Sequence, residues 1–391
     1  MGIIIILITL LCLGLGFLLG FARGMKKSIV RIITIVACII ITFIFVKPMG
    51  DAIFGMKIGG ETIEAKIVNM VPEDFADYVH LVIPIVRGLF MAIGFIVLFL
   101  IIQLVTLIIY TVVSFIFVRD SKDGVKTSKR RIIGGIIGLG QGFLIAFFLC
   151  MPLSGLFNEA NKVMNIEFEG KKLINISNEN ENSVFDFSKY NESSLCKMYN
   201  GLGKGMFKSI TTTKNKDGEK VTLSGQIDAL IAAVRLAEEL SKMGQVDFSN
   251  GLNKDNIQEL KDTLARLDEL KGGLSEESID TLNDLISELA SDFVSDIDLS
   301  DFDLTEVSFA KEGEIIEDLF EYQENPDSVS TDELIQTIAN SDIILPVAAS
   351  SEIKIELDDS EKAKAEESIN KLEGVDEQKI TDLKNIFGIT E

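Results

Sequence analysis

Four apolar runs crowd the first 153 residues. Two of them carry glycines at strict four-residue spacing: Gly16, Gly20 and Gly24 in the first, Gly134, Gly138 and Gly142 in the last. A bilayer hydrocarbon core is about 30 Å thick, so roughly 20 apolar residues cross it as a helix. The spans read as Gly2–Ala22, Ile29–Val46, Gly88–Val118 and Ile132–Leu153. The third run is longer than one crossing needs, so it tilts or kinks. The first run lacks a small-residue cleavage site and meets Arg23, Lys26 and Lys27, so it reads as a retained helix rather than a signal peptide.

The basic residues orient these spans, because cytoplasmic loops are enriched in Lys and Arg. Arg23, Lys26, Lys27 and Arg31 mark the turn between spans one and two, with no acid beside them. Arg119, Lys122, Lys126, Lys129, Arg130 and Arg131 precede span four, against Asp120 and Asp123. The intervening loop is acidic. Both termini, with everything after span four, are therefore expected outside. Residues 154–391 carry 23 Lys/Arg against 51 Asp/Glu, a net of −28. Such a domain repels nucleic acid and acidic headgroups, and the charge serves its solubility. Cys12, Cys38 and Cys150 lie in spans and only Cys196 lies beyond them, so no disulfide forms within the C-terminal half.

After span four, residues 156–223 are mixed. Phe207–Thr213 and Lys220–Leu223 flank a turn at Lys216-Asp217-Gly218 and fit a hairpin, with a helix-to-helix loop as the alternative. Gly201-Leu202-Gly203-Lys204-Gly205 reads as a loop, since no strand leads into it. From Ser224 the pattern is helical. Ser224 is placed to cap Ile227-Leu230-Ile231-Val234, and Asp255–Lys271 follows. Ser275 is placed to cap Ile279-Leu282-Leu285-Ile286, and Ser330 with Glu333 forms a capping-box pattern. Ser360–Glu373 and Asp376–Phe387 complete the series. The fold class expected is all-α: four transmembrane helices in residues 1–155, then a mostly helical soluble domain over 224–391.

Little in the chain points to catalysis. His80 is the one histidine, so a Ser-His-Asp or Cys-His site in the C-terminal half is excluded, as is a histidine-built zinc site. The acidic run with Asp296, Asp298, Asp301 and Asp303 is a weak metal candidate. It lacks the turn glycine and distal Glu of a calcium loop, so no metal or cofactor is expected. Gln103, Thr106, Tyr110 and Ser114 recur three and four apart on one face of span three. They fit either a polar path or interhelical hydrogen bonds, of which the second is commoner. No charged side chain is expected within the cores of spans one, two and four, and Arg87 snorkels at the outer edge of span three. The glycine rows read as helix-packing faces.

Gly16-Phe17, Gly20 and Arg23-Gly24-Met25-Lys26-Lys27, with Arg131-Ile132-Ile133-Gly134, Gly138 and Gly142, resemble the signatures of the colicin V production protein family. The resemblance covers residues 1–155. Arg130 stands where family members often have Asp, and Gln141 where many have Arg. The resemblance implies a multispanning bacterial inner-membrane protein linked to peptide-toxin export and envelope physiology. The resulting expectation is a non-enzymatic protein whose membrane module anchors an extracytoplasmic helical domain. Its partners would be the bilayer, an envelope or membrane protein, and a second copy of the chain, with no nucleic acid. The alternative is a channel or exporter component with a polar path.

Overall fold

The structure is a computed structural model. It describes residues 2–70, 79–117, 128–165, 167–168, 171–172, 193–215, 218–244, 253–293, 303–325, 329–341, 343–345, 357–372, 374–375 and 377–389. Two compact units divide the chain: Met1–Ile166 with Lys172–Ile227, and Glu167–Lys171 with Asp228–Glu391.

The first unit holds α1 (Gly2–Arg23), α2 (Met25–Phe54), a short α3 (Ile63–Met70), α4 (Val79–Phe117), α5 (Ser128–Met164) and α6 (Ser194–Thr211). Stretches of α1, α2, α4 and α5 are long and apolar enough to cross a membrane. With their apolar flanks exposed, they make this a multi-pass membrane protein.

One residue joins the first two spans. Gly24 has φ +74°, a left-handed conformation that costs glycine nothing and other residues a Cβ clash. Its N–H bonds Gly20 O at 2.9 Å, and its C=O accepts Ser28 N–H at 3.1 Å, so backbone pairing continues through the turn. Thr9 of α1 and Phe43 of α2 both lie beside the Cys150–Phe148 stretch of α5. Ser28 meets both Gly20 and Gly134. α1 and α2 are therefore antiparallel. The same reasoning makes α4 antiparallel to α2, since Lys27 meets Tyr110, Arg31 meets Gln103, and Cys38 meets Phe99. The result is an up-and-down bundle.

This hairpin corrects one expectation. Lys26, Lys27 and Arg31 belong to the first turns of α2 rather than to a connecting loop. Arg31 is 5% exposed, so a charged side chain does sit inside span two.

α6 is a second correction. Gly201–Gly205 lies inside a helix, and Phe207–Thr211 is helical as well. The hairpin is reduced to two short strands, Thr213–Lys214 paired with Lys220–Val221. Packing against the bundle explains Gly203, where a Cβ would collide with the Met151 side chain, while a Cβ on Gly201 or Gly205 would meet open space. Tyr199 is fully buried, its hydroxyl 2.9 Å from Thr9 Oγ1.

α7 (Leu223–Gly244) begins in the first unit and runs into the second, which holds α8 (Lys254–Gly272), α9 (Glu276–Phe293), α10 (Phe309–Glu324), α11 (Thr331–Ala339), α12 (Asp359–Ile369) and α13 (Glu377–Ile386). Each buries one apolar stripe, such as Leu260, Leu264 and Leu267 of α8, and packing of such stripes supplies most helix stability. Asn253 with Asn256 and Asp358 with Glu361 form the capping boxes. Ser330 sits at an N-cap without a side-chain cap bond, so the expected box at Ser330–Glu333 does not close. Thr222, not Ser224, caps α7, accepting Gly225 N–H at 3.1 Å. The Ser224 hydroxyl instead donates to the buried Glu159 carboxylate at 2.9 Å.

Candidate functional site: a buried polar cluster beside a glycine seam

The seam comes first, because it brings α1 and α5 close enough to make the rest. An ideal Cβ on Gly20 would lie 2.7 Å from Gly138 Cα, and one on Gly134 would lie 2.8 Å from Gly24 Cα. A Cβ on Gly16 would lie 2.9 Å from Gly142 Cα, and one on Gly142 3.0 Å from Leu13 Cα. Real Cβ atoms do not approach backbone this closely, so the two rows interlock as glycine against glycine. In hydrocarbon, close packing is the main attraction between helices. Gly24 differs from the other five. Its own Cβ would meet open space, and its requirement is the positive φ.

Beside the seam, α2, α4 and α5 enclose polar groups. Gln141 is 3% exposed and donates through Nε2 to Ser28 O at 2.5 Å. Arg31 Nη2 donates to Gln103 Oε1 at 2.9 Å, and Nη1 reaches Thr34 Oγ1 at 3.4 Å. Two guanidinium groups lie over the Tyr110 ring, with Arg23 Cζ 5.2 Å and Arg31 Cζ 5.6 Å from its centroid. Both distances allow a cation–π contact. The Tyr110 hydroxyl donates to Lys27 O at 3.1 Å. No ion pair to Arg31 occurs among the described residues. The amide nitrogen of Gln103, Nε2, is buried without a hydrogen-bond partner. A buried donor left unmade costs about 1–3 kcal/mol.

The polar line of span three thus turns inward onto protein. Gln103 pairs with Arg31, Thr106 donates to Gln103 O at 3.1 Å within its own helix, and Tyr110 joins α4 to α2. Ser114 continues α4, and its side chain lies outside the described set. Arg87 pairs with Glu64 of α3 at 2.9 Å and stacks over Phe54 at 5.2 Å. Asp296, Asp298 and Asp301 lie outside the described residues. Asp303 accepts from Thr305 N, Thr305 Oγ1 and Asn283 Nδ2, bonds that hold its carboxyl below the ordinary range. Sequence reasoning missed Arg31 and Gln141. Arg31 was hidden by neighbouring Lys26 and Lys27. Gly142, next to Gln141 and the last glycine of its row, was the available sign of a crowded interface.

Residues 3–175 match the family model described as colicin V production protein. The N-terminal module belongs to that family. Within this colicin V production module, both glycine rows, the one-residue turn at Gly24 and the Arg31 cluster fall inside the matched span. α6 and the acidic helical unit fall beyond it. Neither curated proteins nor solved structures give a match.

Proposed function

We propose that this is a non-enzymatic membrane protein of the colicin V production family, whose bundle anchors an extracytoplasmic acidic helical domain that binds an envelope partner and supports peptide-toxin export. The observation that carries an anchor over a conduit is the spending of polar groups inside the bundle. Gln103, Tyr110 and Gln141 each bond another helix rather than facing a lumen. The orientation rests on Arg23, Lys26 and Lys27 at one end of the bundle and the acidic loop at the other.

The channel reading has its own support, because Arg31 is a buried cation with no carboxylate partner among the described residues and Gln103 Nε2 is a buried donor without an acceptor. Intramembrane charge of that kind marks pathways in many proteins. Purified protein in liposomes loaded with a small fluorescent anion separates the two. The anchor reading expects leakage equal to empty liposomes, and Arg31-dependent leakage would establish the conduit. Crosslinking in intact cells, followed by identification of the captured protein, tests the partner.

A further inference from the structure

The α6 helix carries two stripes outside its buried face. Leu195, Leu202 and Met206 form one, at steps of seven and four. Lys197, Lys204 and Lys208 form the other, at the same steps but two residues on. Two residues correspond to about 200° around a helix, so the stripes lie on opposite flanks. The buried face runs between them through Cys196, Tyr199, Gly203, Phe207 and Ile210. Leu202 is 64% exposed and Met206 39%. All three lysines are exposed as well.

Contacts with α5 fix which flank points along the bundle and which points off its end. Tyr199, on the side of the leucine stripe, packs on Phe147 with ring centroids 5.9 Å apart and reaches Thr9. Gly203 abuts Met151, one turn further along α5. Asn200 and Phe207, on the side of the lysine stripe, meet Ser154 and Gly155. Moving from leucine flank to lysine flank therefore moves from residue 147 to residue 155 of α5, toward the end of the span. The start of α6 adjoins the α1 N-terminus, where a Cβ on Gly2 would lie 3.5 Å from Ser193 Cβ and 3.8 Å from Cys196 Sγ, and there Ile3 is 71% and Leu7 60% exposed.

We propose that α6 is an interfacial membrane helix whose leucine flank enters the acyl chains and whose lysine flank binds the phosphates of anionic phospholipids in the leaflet at the α1 N-terminal end. An amphipathic helix lying in the interface with cationic residues toward the headgroups is a stable arrangement. Long lysine stems reach the phosphate level while their methylenes stay in apolar surroundings. The lysines give the module local positive charge in a half of the chain that is otherwise strongly acidic. This inference stands whichever way the module is inserted.

The chain has no tryptophan, so an introduced one is the sole indole emitter. Full-length Leu202→Trp and Lys204→Trp are reconstituted separately into phosphatidylcholine vesicles with brominated acyl chains. L202W emission falls by about half or more, as an indole among acyl chains requires, while K204W is red-shifted and quenched by aqueous iodide. Met206→Trp serves as the second lipid-side reporter if L202W does not fold. In mixed vesicles, brominated phosphatidylglycerol quenches L202W more than the same share of brominated phosphatidylcholine, a preference on the order of fivefold for each lysine engaged. K197Q/K204Q abolishes that preference. Iodide quenching of L202W and M206W without bromine quenching would overturn the proposal, as would equal quenching by the two lipids. Unchanged lipid preference in K197Q/K204Q, with easier proteolysis of residues 228–391, would make the stripe a protein-docking surface and also defeat it.

Discussion

Arg31 donates to Gln103 Oε1 at 2.9 Å, joining α2 to α4 through a guanidinium whose other neighbours are Thr34 and the Tyr110 ring. Truncating Gln103 removes the best acceptor of a buried cation, whereas removing both partners removes the need. Gln103→Leu should lower the bundle's unfolding free energy in detergent by about 1–3 kcal/mol. The Arg31→Leu/Gln103→Leu double variant should recover part of that loss. Reported coupling across membrane helices averages about 0.6 kcal/mol, so full additivity of the two single effects would show that the pair does not interact.

Gly20→Leu and Gly138→Leu each place a side chain where backbone already stands, with Gly138 Cα only 2.7 Å from an ideal Gly20 Cβ. Each should destabilise the bundle by about 1–3 kcal/mol, the usual cost of overpacking, and expose it to protease. Gly14 and Gly140 lie in the same two helices with nothing within 4 Å of an added Cβ. Leucine there should be tolerated. Equal sensitivity at all four positions would mean that the seam is not what holds α1 to α5.

Much of this fold was legible because hydrocarbon leaves few choices. Gly16–Gly142 spacing and the four apolar runs announced the spans and their close contact. What stayed hidden was tertiary. Gly24 reads as one more member of a row until its φ shows that it is the whole turn. Arg31 reads as loop charge until that turn places it nearly two helical turns into the span. Gly201, Gly203 and Gly205 read as a loop because isolated glycines disfavour helix, and only the Met151 side chain against Gly203 explains why a helix wants one there. The Asn253 and Asp358 boxes closed while the Ser330 pattern did not.

Glu239 and Asp318 should respond to acid in opposite directions. Burial pushes the Glu239 carboxyl up, but hydrogen bonds from Lys242 and Arg266 outweigh it and hold it below the ordinary 4.5. A depressed carboxylate adds stability that is complete above its unfolded value and is lost as pH falls through the folded one. Glu239→Gln should therefore cost about 0.5–1 kcal/mol at pH 7, discounted for solvent, and nothing in strong acid. Burial, with Glu321, Glu314, Glu317 and Glu333 nearby, raises Asp318 above its ordinary 3.8. Its charge opposes folding at neutral pH, and protonation relieves it. Asp318→Asn should stabilise the second unit by about 0.5 kcal/mol at pH 7, with the gain fading toward acid. Urea titrations at several pH values check both signs.

Calcium should leave the second unit unmoved. Asp303 spends one carboxylate oxygen on Thr305 and Asn283, and no group of three or more metal-ligating side chains gathers among the described residues. A native-state ligand raises the melting midpoint with the logarithm of its concentration over its dissociation constant. Full-length protein should melt at the same temperature in millimolar calcium and in EDTA. A shift of several degrees would return the Asp296–Asp303 run to the account.

Topology is the most direct test of an outward-facing anchored domain. Glu269 is exposed on α8, and Lys26 is exposed on the first turn of α2. Wild type sets the background, since its four cysteines are buried or half-buried. Glu269→Cys and Lys26→Cys are each treated, in intact cells with a permeable wall, with a membrane-impermeant thiol reagent. The account predicts that E269C labels at once and K26C only after the membrane is broken. Protection of E269C in intact cells, with ready labelling of K26C, would contradict it.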